Sequence, residues 1–160
     1  MIRWIKEKIQ KYKDTHNTKW NKVNAEFRDN VLNVYLCGPI GKTLIDWRFK
    51  FKDTDKIHFV NPENWSYEDP NDLCEADLYA IRKADAVFAY VPVYSPGTSM
   101  ELFYLKSLKK PVVLSVSKKL LSPWHEYALN VVNNSNRFLF SDVRKAKKFL
   151  ISFLNGEVDG

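Results

Sequence analysis

The stretch Pro96-Gly97-Thr98-Ser99-Met100-Glu101-Leu102 sets a carboxylate just after a tight turn. It follows an apolar run, Ala86 to Val91, and opens a helix-like segment that ends at Lys109-Lys110-Pro111. A buried strand, a turn and a helix N-terminus in that order form the junction where open α/β sheets bind ligands. Local sequence leaves two readings of Glu101. Thr98-x-x-Glu101 has the form of a capping box, with the carboxylate in the first helical turn folded back on the Thr98 N–H. The alternative is a carboxylate that points out over the sheet edge toward a ligand. A second acid, Asp77, lies beside the apolar stripe of Leu73, Ala76, Ala80, Ile81 and Ala84. It sits either at the solvated edge of that stripe or in a cleft. The turn Gly38-Pro39-Ile40-Gly41 is the third feature: backbone N–H groups left free there can meet an anion or a sugar hydroxyl. Its glycine spacing is not that of a P-loop.

The elements that must carry these residues follow from apolar patterning. Val31–Cys37, Ile57–Val60, Ala86–Val91, Val112–Val116 and Phe138–Phe140 read as strands, nearly continuous in apolar residues, as strands covered on both faces are. Between them the spacing predicts helices over Leu44–Phe51, from Asp72 (with Glu75 completing a capping box) to Ala84, from Gly97 to Leu108, over Trp124–Val132, and from a Ser141 cap to Phe153. The loop 61–70 is long enough to shape a pocket. His58 alternates with apolar neighbours and reads as structural, and His16 reads as a solvated turn residue. This β-α order with short loops predicts an α/β, flavodoxin-like doubly wound domain with a five-stranded parallel sheet over residues 31–160. Ahead of it, residues 1–30 form a basic helical extension, with Ile2, Ile5, Ile9 and Tyr12 on one face.

The chain has 160 residues, 45% hydrophobic and 14% aromatic, which suffices for one domain with a sizeable core. Of the net charge of +6, the first 30 residues hold +4, from eight Lys or Arg against four acids. The remainder is close to neutral, so nucleic-acid binding is not expected of it; for the extension a solvated basic face is the first reading, and an anionic partner such as nucleic acid or a membrane, bound through residues 1–28, is the second. Cys37 and Cys74 make neither a disulfide framework nor a zinc pattern, and no metal or cofactor is expected. No apolar run reaches the length of a membrane span and the N-terminus shows no signal sequence, so the expectation is a cytoplasmic protein without membrane contact.

Taken in order, several short motifs resemble the nucleoside 2-deoxyribosyltransferase family, which includes nucleoside monophosphate N-glycosidases. They are Val34-Tyr35-Leu36-Cys37-Gly38-Pro39-Ile40, Trp47-Arg48, Asn61-Pro62, Asp77, Ala84-Asp85-Ala86-Val87, Gly97-Thr98-Ser99-Met100-Glu101-Leu102 and Lys110-Pro111-Val112-Val113. The resemblance covers about residues 31–116. It implies that Glu101 is a nucleophile that attacks C1′ of a deoxyribose and forms a glycosyl ester, by the logic of a retaining glycosidase. It further implies that Tyr35 orients Glu101 and that Asp77 manages the proton of the leaving base. Substrate contacts are implied at Gly38, Pro39, Ile40, Arg48, Asp85, Gly97, Thr98, Ser99 and Met100, with Arg48 and Lys42 facing a 5′-phosphate. The implied partners are a nucleoside or nucleotide and a free nucleobase. The implied assembly is a homo-oligomer in which Trp124, His125 or Asn130 completes a neighbouring subunit's site. Phe103 and Leu105 stand where the family often has glycine and alanine, and Ser95 or a neighbour replaces a family aspartate that holds sugar hydroxyls.

Beside nucleic-acid binding through residues 1–28, three other readings compete. Water in place of the acceptor base makes the protein a nucleoside 5′-monophosphate hydrolase. A nucleotide-binding module without turnover is the non-enzymatic alternative, against which intact Glu101, Tyr35 and Asp77 argue. A phosphoribohydrolase resembling the cytokinin-activating enzymes shares the Gly-Thr-x-x-Glu turn, but its doubled glycine is replaced here by Ser95-Pro96-Gly97.

Overall fold

The computed structural model describes residues 18–40, 47–129 and 136–158. The expected first helix with Ile2, Ile5, Ile9 and Tyr12, together with His16, Gly41, Lys42, Leu44 and Asn130, lies outside these residues. Five strands, β1 (Leu32–Cys37), β2 (Ile57–Val60), β3 (Ala86–Val91), β4 (Val112–Val116) and β5 (Arg137–Phe140), form one sheet in the order β2-β1-β3-β4-β5. Every pairing is parallel. Helices α1 (Asn21–Ala25), α2 (Pro70–Lys83), α3 (Pro96–Leu105), α4 (Pro123–Leu129) and α5 (Val143–Leu154) accompany it, with 3₁₀ turns at Trp47–Lys50 and Pro62–Asn64. This is the doubly wound α/β fold that the patterning predicts. From β1 the chain steps outward to β2 and then returns across β1 to β3. The strand order therefore reverses between β1 and β3, whose C-terminal ends open a crevice.

Period-two alternation along β1 divides its side chains between two cores. Tyr35 and Cys37 face the layer built with Ala76 and Ala80 of α2, Leu102 and Leu105 of α3, and Trp20 and Val23 beside and within α1. Val34 and Leu36 face the layer of Trp47, Phe51, Phe88 and the α5 residues Ala146 and Leu150. Trp20 is only 1% exposed. Burying an aromatic of this size contributes about 3 kcal/mol, so the described part of the N-terminal extension is packed into the sheet domain. His58 is structural: its ring bonds Asp53 Oδ2 and the Glu26 carbonyl, each at 2.7 Å.

Three expected caps fall elsewhere. Asp69, not Asp72, caps α2: its side chain accepts the Asn71 N–H, and Pro70 follows it. Asp72 instead pairs with Lys19 at 2.8 Å. Asp142, not Ser141, caps α5 by accepting the Arg144 and Lys145 N–H groups. Ser95 caps α3, with Pro96 next. Proline in the first helical position loses no hydrogen bond and has a helical φ already, which fixes the start at Asp69-Pro70 and Ser95-Pro96. Between β1 and β2 the described residues form only the 3₁₀ turn at Trp47–Lys50 where the end of a longer helix is expected.

The two helices that carry Asp77 and Glu101 are also fixed at their far ends. Lys110 donates to the carbonyls of Ile81 and Arg82, at 2.6 and 2.9 Å, and to that of Ala84, closing the last turn of α2. Arg137, buried at the start of β5, donates to the carbonyl of Leu105 at 2.8 Å and to that of Leu108 after α3. Cations on terminal carbonyls satisfy acceptors the helix cannot and oppose its dipole.

Candidate active site

Because α3 begins at Pro96, Glu101 lies in its second turn and takes no part in capping. Thr98, Leu102 and Leu105 form the buried stripe of α3, and Glu101 borders it on the side of β1. The Tyr35 hydroxyl donates to Glu101 Oε1 at 2.7 Å, and the Cys37 thiol donates to Oε2 at 3.1 Å. The capping-box reading is thereby replaced: the carboxylate is drawn down onto the strand. Burial is the main force on Glu101 and lifts its pKa from 4.5 to about 7. The two donated bonds and the Arg48 charge oppose this rise, while the charge of Asp77 adds to it.

Asp77 lies on the neighbouring helix, and its Oδ1 accepts the indole N–H of Trp65 at 3.0 Å. Trp65 comes from the loop after β2 and is itself buried, so this loop shapes the pocket by aiming the acid of α2. Burial raises Asp77 from 3.8 to about 6 against the Trp65 bond and the Arg48 charge. Tyr35, buried beside these acids, is pushed well above its usual value, chiefly by desolvation and then by the charges of Glu101 and Asp77. It therefore stays protonated and remains a donor.

Tyr35, Asp77 and Glu101 line one cleft of about 360 Å³ together with Gly38, Pro39, Ile40, Gly97, Thr98 and Met100. Ser95 and Pro62 lie in the same wall, as do Cys74 and Leu78, two residues of α2 that the sequence reading passed over. The signal was helical spacing: Cys74 lies three residues before Asp77 and four before Leu78, so it neighbours both on the helix surface. A volume of this size suits a small-molecule ligand. A larger cleft of about 780 Å³ opens between Trp47, Phe51, Tyr90 and the cations of α5, but it holds neither carboxylate.

Three expected contacts fall outside the Glu101 cleft. Asp85 precedes β3 and so lies at the opposite sheet edge, where its carboxylate accepts the Asn33 N–H at 2.7 Å. Arg48 is buried behind the β1 turn. It donates to the carbonyls of Gly38 at 2.7 Å, Pro39 at 3.3 Å and Leu36 at 3.4 Å, and stacks its guanidinium over Trp47. Ser99 donates to the Ser95 carbonyl at 2.9 Å and lines the adjoining cleft with Phe103, Trp124 and His125. Trp124 and His125 are thus separated from Glu101 within one chain, and Met100 borders both clefts. The two bulky departures do not crowd Glu101. Leu105 belongs to the core, and Phe103 points outward at 54% exposure. Ser95, in place of the expected aspartate, is occupied with the N–H and hydroxyl of Thr98.

Gly38 is required by close approach. A Cβ there would lie 2.8 Å from the Tyr90 carbonyl oxygen and 2.8 Å from Trp47 Cζ2. Gly38→Ala therefore forces the β1 turn away from β3 and costs about 1–3 kcal/mol, measurable as a lowered denaturant midpoint. Gly97, by contrast, has open space where a Cβ would project.

Neither a protein-family model nor a curated protein sequence matches this chain. Among the described residues no helix is long and apolar enough to cross a membrane, and no cluster of three metal-ligating side chains occurs.

Proposed function

We propose that the protein cleaves the N-glycosidic bond of a 2′-deoxynucleoside or its 5′-monophosphate and transfers the deoxyribosyl group to another nucleobase. The observation that carries this reading is the Glu101 carboxylate, held by Tyr35 and Cys37 in a cleft that Asp77 shares. The ordered motif resemblance supports the same roles. Glu101 attacks C1′ from one side of the sugar while the C1′–N bond breaks and its electron pair leaves with the base. Asp77 supplies the proton that the departing nitrogen needs. The resulting ester is displaced by the nitrogen of an acceptor base, which gives its proton back to Asp77 and regenerates Glu101. Tyr35 keeps the carboxylate oriented through both steps. Its free partners are the nucleosides and bases of the cytoplasm. The exposed cluster of Tyr94, Met100, Phe103 and Trp124 beside the cleft is the face through which a second copy would complete the site.

Incubation with each deoxynucleoside, with and without a 5′-phosphate, plus a labelled foreign base tests this directly. Chromatography should show the label in a new nucleoside. Free deoxyribose or its phosphate with no labelled nucleoside assigns the protein as a hydrolase. Unchanged substrates under all conditions sink the reading.

A further inference from the structure

Cys37 ends β1, two residues beyond Tyr35, so both side chains project toward α3. Its register partner on β3 is Ala89, small enough to leave the sulfur its place. The two donors divide the Glu101 carboxylate between them, one on each oxygen. Their situations differ. Both are fully buried, but Tyr35 lines the cleft and Cys37 does not, so Cys37 meets a substrate only through Glu101.

We infer that Cys37 is a positioning residue for the nucleophile: its S–H, donated to Glu101 Oε2, fixes the plane of the carboxylate and favours its ionised form. This rests on the reading of Glu101 as nucleophile. The groups that face Glu101 are Tyr35 and Cys37 from β1, Asp77 from α2 and Arg48 from the 3₁₀ turn. Of these, Tyr35, Cys37 and Arg48 favour the anion and Asp77 opposes it. Burial, then the charge of Glu101, raises the thiol well above its usual value, so the sulfur keeps its proton and donates. A thiolate at this position would instead set two anions against one another. A thiol is a weaker donor than a hydroxyl. Its removal accordingly raises the Glu101 pKa by about half a unit to one unit, less than loss of the Tyr35 hydroxyl would.

The test is a ¹³C NMR titration of protein labelled at the glutamate carboxyls, with the Glu101 resonance assigned by its disappearance in Glu101→Gln. Cys37→Ala should move the Glu101 midpoint upward by about half a unit to one unit, and Cys37→Ser should return it toward the original value. Deoxynucleoside kcat/KM at pH 6.5 should fall about 3–10-fold in Cys37→Ala, because less of the singly protonated carboxyl pair has Glu101 ionised, and should recover in Cys37→Ser. Cys37→Val fills the space without a donor and replaces Cys37→Ala if the smaller side chain prevents folding. A midpoint unchanged in the donor-free variant overturns the inference, as does a serine variant no better than alanine. If the unsubstituted protein cleaves no nucleoside, the functional reading fails, while the titration still decides whether the thiol bonds the carboxylate.

Discussion

Glu101→Gln should lower the proposed glycosidic cleavage on the order of 10⁴-fold or more and raise the melting temperature at pH 8. The first effect follows from chemistry, since an amide oxygen does not form the glycosyl ester. The second follows from linkage. Folded, Glu101 titrates at about 7, against an ordinary value of 4.5. Below pH 4.5 both folded and unfolded chains hold the proton, and nothing is lost. Between 4.5 and 7 the unfolded chain has released it and the folded chain has not, so stability falls as pH rises through that window. Above 7 the buried carboxylate costs the folded state about 1–3 kcal/mol, less than the full shift implies because the side chain is partly exposed. Glutamine is spared this cost. Its carbonyl oxygen still accepts the Tyr35 hydroxyl, and its shape is that of glutamate. Thermal unfolding of both proteins at pH 5 and pH 8 separates the outcomes. The gain at pH 8 should shrink to a small residue at pH 5, and a glutamine variant less stable at both pH values contradicts the assigned burial and protonation of Glu101. A substitution that destroys activity while stabilising the fold is expected where a site holds a charge against its environment.

The strands were legible because strands covered on both faces have few polar residues to break the pattern; β2, β3 and β4 fall on the expected residues. Helix starts were less legible. At Thr98-x-x-Glu101 and Asp72-x-x-Glu75 the capping-box spacing competes with a Ser-Pro or Asp-Pro pair slightly upstream, and the pair wins in both cases. Proline in the first turn was the available signal. Its consequence is functional: an earlier start for α3 carries Glu101 from the capping turn into the second turn, within reach of Tyr35. Asp85 was misplaced for a topological reason. Residues that precede a parallel strand lie at the edge opposite to those that follow it, so Asp85 and Gly97 do not share a crevice. Arg48 shows what composition alone does not resolve, because a guanidinium suited to a phosphate is equally suited to three backbone carbonyls. Cys37 escaped notice as one apolar residue in a strand. Only the position of Glu101 turns its i+2 spacing from Tyr35 into a second donor.

Asp77→Asn should lower kcat/KM for ordinary deoxynucleosides by about 10²–10³-fold and much less for a deoxyriboside whose leaving group is a good one, such as p-nitrophenolate. Asparagine preserves the local structure, since its carbonyl oxygen still accepts the Trp65 N–H. What it removes is the proton for the departing base and the negative charge beside Glu101. The unsubstituted protein presents two interacting carboxyls at about 6 and about 7. The proposed chemistry needs one ionised and one protonated, so the kcat/KM profile should be a bell with limbs near those values, which belong to the pair and not to either residue. With Asp77 neutralised, only the ionisation of Glu101 remains. The profile should rise to a plateau, and its midpoint should fall below 7 because a like charge that raised Glu101 has gone. The comparison of leaving groups isolates the role. A phenolate departs without protonation, so general-acid catalysis predicts unequal losses for the two substrates. Equal losses would mean that Asp77 only braces the cleft, and a bell that survives in Asp77→Asn would place the acid on another residue.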